Sequence, residues 1–132
     1  MPQKRLCRAF ISYDYEHDND LKNLLVGQAR NGQTPFQISD WSIKEASREW
    51  RSEARQRIDR ANLVIVICGH YTHTAEGVSK EIAIARETDT PFFLLRGRKS
   101  GIVRRPKGTS MLSDRLYRWS WDNLQKMTEA AR

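Results

Sequence analysis

The chain has 132 residues, 39% hydrophobic and 9% aromatic, with a formal net charge of +7. That length suits one domain with one core, and four Trp, four Tyr and four Phe exclude a disordered polar chain. No apolar run approaches the roughly 18 residues of a membrane span and no signal-type segment stands out, so a single cytoplasmic domain over 1–132 is expected.

In chain order, Cys7–Ser12 (CRAFIS) is short, apolar and aromatic and reads as a strand. His17–Arg30 reads as a helix with Leu21, Leu24, Leu25 and Gln28 on one stripe, Asp18 as N-cap and Asn31-Gly32 as its stop. Pro35–Ser39 is a second, weaker strand. Ser47–Ala61 is a charged helix with apolar contacts at Trp50, Ala54 and Ile58, four residues apart. Leu63–Cys68 (LVIVIC) is apolar on both alternating faces, which marks a strand covered on both sides in a parallel sheet. Glu76–Thr88 follows as an amphipathic helix burying Val78, Ile82 and Ala85, then Pro91–Leu95 as the fourth strand. Arg115–Trp119 reads as an edge strand and Asp122–Ala131 as the last helix. Strands separated by single helices need right-handed crossovers, so the expected fold is α/β, a flavodoxin-like doubly wound parallel sheet of four to five strands. Cys7 and Cys68 sit inside apolar runs and read as reduced core thiols.

The positive charge is local. Residues 1–95 carry 13 basic and 13 acidic side chains, whereas 96–108 (RGRKSGIVRRPKG) carry six basic and none acidic. The plain reading of 96–108 is a flexible, solvated loop; the others are a dock for an acidic partner or a field that attracts an anionic substrate. With no aromatic residue in the loop and a neutral remainder, nucleic-acid binding is not expected.

Ligands of open α/β sheets bind beyond the carboxyl ends of the strands. Three loops should converge there: YDYEHD after Ser12, SDWSIKE after Ile38 and GHYTHTAEG after Cys68. They offer Ser12, Tyr13, Asp14, Trp41, Ser42, His70, Tyr71 and Thr72 as substrate contacts. Glu81 neighbours the buried stripe of its helix; spacing alone reads it as a solvated carboxylate paired with Lys80 or Arg86, or as a group facing the crevice. Trp41 either meets a ligand or packs on the neighbouring helix. His70 and His73 stand close to Glu76, but zinc needs three or four placed ligands, and no metal is expected. Neither a GxxxxGK[ST] loop nor a GxGxxG fingerprint occurs, and Ser12 has no evident His/Asp partner for a hydrolase triad.

FISYDYEHD (Phe10–Asp18) resembles the opening box of TIR domains. The spaced pattern DWSIKE…W…I…ANLVIVICGHYTHTAEGVSKEIAIA resembles the bacterial TIR-like family that includes the Thoeris anti-phage sensor proteins, whose V-x-x-E-I-x-x-A helix start is here Val78, Glu81, Ile82 and Ala85. The resemblance covers about residues 5–96. It implies a flavodoxin-like fold and cleavage of NAD at the nicotinamide–ribose bond, with Glu81 as the catalytic glutamate. It further implies NAD as a substrate with no resident cofactor, an ADP-ribose-derived (linear or cyclic) messenger for a separate effector, self-association through TIR–TIR contacts, and a phage-derived trigger. Gly77 departs from the pattern: many TIR enzymes carry Trp four residues before the glutamate, and Trp41 or Tyr71 are the aromatic alternatives here. Two other readings stay open, an adaptor without catalysis and a nucleoside deoxyribosyltransferase-like enzyme.

Overall fold

Strand β3, Leu63–Cys68, has all six side chains buried and forms the centre of the sheet. The computed structural model describes residues 6–31, 34, 36–43 and 49–131. Around β3 the elements run β1 (Cys7–Ser12), α1 (Asn19–Ala29), β2 (Phe36–Trp41), α2 (Trp50–Arg60), β3, α3 (Glu76–Glu87), β4 (Phe92–Arg96), β5 (Leu116–Arg118) and α4 (Trp121–Ala131). The five strands are parallel in the order β2-β1-β3-β4-β5. This is the doubly wound order of the flavodoxin type, with its switch point between β1 and β3.

Strand alternation divides the core into two layers. Leu63, Ile65 and Ile67 pack with Cys7, Ala9 and Ile11 of β1, Leu21 and Leu25 of α1, and Leu124 of α4. Val64, Val66 and Cys68 pack on the other face with Trp50, Ala54 and Ile58 of α2 and Val78, Ile82 and Ala85 of α3. Each fully buried Ile or Leu in these layers contributes roughly 1.5–3 kcal/mol relative to exposure. Cys7 and Cys68 are buried thiols on opposite faces of the sheet and do not form a disulfide with each other. Burial pushes the Cys68 thiol up to about 12.

Several expected features change. Leu24 is 54% exposed, and α1 is anchored by Leu21 and Leu25, with Val26 and Ala29 partly buried against the same layer. Asp18 stands at the N-cap of α1 but makes no side-chain cap bond there. Strand β2 extends to Trp41, past the expected end at Ser39. The expected strand start at Pro35, the helix stop at Gly32, and positions 44–48 with the helix start at Ser47 lie outside the described residues.

The basic loop is docked on the carboxyl edge of the sheet. Gly97 N–H donates to Cys68 O (2.8 Å) and Arg104 N–H to Gly69 O (2.9 Å). Val103 packs on the α2/α3 layer. Arg98 donates to Asp18 Oδ1 (3.1 Å), to both carboxylate oxygens of Asp20 (2.8 Å each) and to His17 O (3.1 Å). The charge that looked free in the sequence is partly spent on holding α1 to this loop.

Gly69 ends β3 at a close approach. A Cβ there would stand 2.3 and 2.5 Å from the two carboxylate oxygens of Asp18. Asp18 is 1% exposed and held by Arg98, so it cannot swing away freely. Gly69→Ala is therefore expected to destabilise the fold by about 1–3 kcal/mol. Thermal unfolding measures this, and the same substitution in an Asp18→Ala background should cost clearly less.

Candidate functional site

The strand ends at the β1/β3 switch point open into a cavity of about 660 Å³ lined by residues of the loop after β1, the end of β2, α2 and the start of α3. Its size suits a small-molecule ligand. Glu81 is placed there by the periodicity of α3. Val78, Ile82 and Ala85 bury against the sheet, and the neighbouring position of Glu81 falls at the edge of the same contact, 1% exposed and lining the cavity. The solvated reading of this carboxylate, paired with Lys80 or Arg86, is corrected. Arg86 bonds instead to Gly108 O (3.0 Å) and Asp114 (3.2 Å), and the Lys80 ammonium lies 5.8 Å from the centre of the Trp50 ring.

Two serines orient the carboxylate. Ser12, at the end of β1, donates from Oγ to Glu81 Oε1 at 2.7 Å. Ser42, just past β2, donates to the same oxygen at 2.5 Å and accepts Tyr13 N–H at 3.2 Å. Both hydroxyls are buried. The ends of β1 and β2 and the helix after β3 thus converge on one oxygen.

A β-bulge explains why Ser42 reaches it. In the β1/β2 ladder Ala9 pairs with Ile38 but Phe10 pairs with Asp40, leaving Ser39 as an extra residue. One inserted residue reverses the strand's alternation beyond it. Trp41 therefore faces the same layer as Phe36 and Ile38, packed there with the Lys22 ammonium 4.7 Å from its ring centre. Ser42, next in the chain, turns to the α3 side. Trp41 does not line the cavity, which corrects its assignment as a substrate contact.

The other expected contacts divide in the same way. Tyr13 and Asp14 line the cavity with Ser42 and Glu81. Ser12 lies beneath Glu81 as its partner. The Tyr13 phenol is buried against the α1 layer, donates to Asn19 Oδ1 (3.2 Å), and is pushed up to about 12 by desolvation, then by Tyr15 and Glu81. It is neutral near pH 7. His70 is turned away from the cavity, its Nε2 2.7 Å from Ser100 O in the basic loop. Thr72 is fully buried, and its Oγ1 accepts Gly69 N–H (2.7 Å) to close the turn after β3. Tyr71 is 51% exposed and stacks on His17, with ring centres 4.3 Å apart.

His17, Trp50 and Glu76 also line the cavity, and of these only Trp50 lies outside the three loops expected to converge there. Trp50 was recognisable only as a core position of α2. It is 5% exposed, donates from Nε1 to Ile43 O (3.3 Å), and a Cβ on Gly77 would stand 3.9 Å from its Cζ2. An aromatic ring from α2 thus lies beside Gly77, the position that departs from the expected pattern. Among the described lining residues Asp14, Glu16, Glu76 and Glu81 are acidic and none is Lys or Arg.

A flavodoxin-type parallel sheet, with a glutamate buried at its switch point and held by serines from the ends of β1 and β2, defines a TIR-like α/β domain. Residues 10–100 match the model of the TIR-like domain of the Thoeris protein ThsB, and the chain belongs to that family of defence signalling domains. A comparison with curated proteins returns no match. No described helix is long and apolar enough to cross a membrane.

Proposed function

We propose that this domain cleaves NAD at the nicotinamide–ribose bond, with Glu81 as the catalytic carboxylate, and releases an ADP-ribose-derived messenger read by a separate effector. The observation that carries the reading is Glu81 itself: a buried carboxylate lining a ligand-sized cavity, with both serine hydroxyls on one oxygen. Most glycosidases need two carboxylates, one to protonate the leaving oxygen and one to meet the oxocarbenium-like centre. Nicotinamide is joined through a quaternised ring nitrogen. The C1′–N bond breaks with its electron pair going to that nitrogen, and neutral nicotinamide departs. No general acid is needed, and one fixed carboxylate against the developing positive charge at C1′ suffices.

The charge of the cavity agrees. Four acidic lining residues favour the cationic nicotinamide–ribose half of NAD over its pyrophosphate. Trp50 offers an aromatic edge beside Gly77, which weakens the argument for an inactive adaptor from that departure. Self-association through TIR–TIR surfaces and a phage-derived trigger belong to this reading as the means of switching the enzyme on.

The purified protein, incubated separately with NAD and with deoxynucleosides and followed by mass spectrometry, is expected to release nicotinamide from NAD and to leave deoxynucleosides intact. Base exchange on deoxynucleosides with NAD untouched would assign the site to the deoxyribosyltransferase class. Inertness toward both, with the protein assembled, would favour the adaptor.

A further inference from the structure

Opposite the question of the leaving group stands that of the nucleophile. Whether water or a ribose hydroxyl attacks C1′, it must lose a proton, and Glu81 is engaged with two serines. The cavity contains a second titratable pair. His17 lines it with its side chain 42% exposed, and its Nδ1 is 2.7 Å from Asp14 Oδ2. Asp14 is held in place: its Oδ1 accepts Glu16 N–H (3.1 Å), its carbonyl accepts Asp18 N–H (2.9 Å), and its side chain is 7% exposed. The imidazole is held from a further direction by stacking on Tyr71, with ring centres 4.3 Å apart, and the backbone that carries it by the Arg98 bond to the His17 carbonyl at 3.1 Å.

A carboxylate on Nδ1 fixes the neutral tautomer with the proton on Nδ1 and the lone pair on Nε2. Nε2 is then the nitrogen left for a ligand in the cavity. We propose that His17 is a second catalytic residue, the general base for the attacking oxygen, and that Asp14 is its positioning residue. This rests on the NAD reading of the same site. As the C1′–N bond breaks and nicotinamide takes the electron pair, the nucleophile's oxygen forms the new bond to C1′. Its proton passes to Nε2, and the resulting imidazolium is stabilised by Asp14 until it returns the proton to solvent. Nothing else is consumed. The basic loop enters the same device, because Arg98 fastens the backbone of His17 to the β4–β5 connection.

General-base contributions are typically about 10²–10⁴-fold. His17→Ala and His17→Gln are each expected to lower kcat for NAD by about 100-fold with KM changed little. Imidazole, able to occupy the vacated place against Tyr71, is expected to restore turnover at least about 10-fold in His17→Ala and to leave wild type unaffected. Asp14→Asn is expected to lower kcat about 10-fold alone and to have no further effect in the His17→Ala background, a coupling that a purely structural role would not show. Rates within about twofold of wild type for both His17 variants, or a loss that imidazole leaves untouched in a folded His17→Ala protein, would overturn the assignment. A wild type inert toward NAD would instead overturn the reading on which it rests.

Discussion

Glu81→Gln is expected to leave a folded protein whose NAD turnover falls roughly 10³-fold or more. The substitution keeps the shape of the side chain and keeps Oε1 as an acceptor, so the hydroxyls of Ser12 and Ser42 retain their partner. What disappears is the negative charge facing C1′. With shape and both serine bonds retained, the variant is expected to fold. Thermal unfolding and nicotinamide release, measured together, check both halves. A variant that keeps turnover would remove Glu81 from the chemistry; one that fails to fold would make it a structural carboxylate.

Arg98→Ala is expected to give the largest loss of stability among surface-loop substitutions, about 3 kcal/mol at pH 7. Its guanidinium is 27% exposed, yet it faces Asp18, whose side chain is 2% exposed. Burial raises the Asp18 carboxyl above its ordinary value, and the hydrogen bond and charge of Arg98 pull it back only in part. Asp20 shifts the other way, lowered first by its hydrogen bond to Arg98. A raised carboxyl favours folding only below its unfolded value, and that contribution is lost as pH rises through the folded value. A lowered one contributes above its unfolded value and is lost as pH falls through the folded value. Removing Arg98 therefore leaves an uncompensated buried charge at neutral pH and abolishes the Asp20 contribution. Below the carboxyl range Asp18 is protonated and little remains to lose. Urea unfolding should show the deficit of Arg98→Ala shrinking to about 1 kcal/mol or less near pH 3. A deficit equal at both pH values would mean that the Arg98–carboxylate pairs are not its source.

The fold was legible because its signals are local. LVIVIC is apolar on both faces and short, which reads as a covered strand, and Val78, Ile82 and Ala85 trace one helical stripe. Glu81 was legible as a position through its family pattern, although not its burial, since spacing cannot say whether a carboxylate beside a stripe meets solvent or a cleft. The rest depended on three-dimensional detail. The bulge at Ser39, which exchanges the sides of Trp41 and Ser42, is one extra residue with no marker in composition. Trp50 read as core because it is core, and its cavity edge comes from the missing side chain at Gly77. The Asp14–His17 spacing of three residues was visible beside the FISY box, but its meaning needed the cavity. The basic loop misled most: charge counting treats a guanidinium in an ion pair and one in water alike.

The structure of the Glu81→Gln variant with NAD bound will show whether residue 81 faces the scissile bond. The nicotinamide-bearing ribose is expected in the cavity between the strand ends and α3, with C1′ against the side chain of residue 81 and the nicotinamide ring near Trp50. NAD bound elsewhere, or seated there with its adenine end toward residue 81, would contradict that placement.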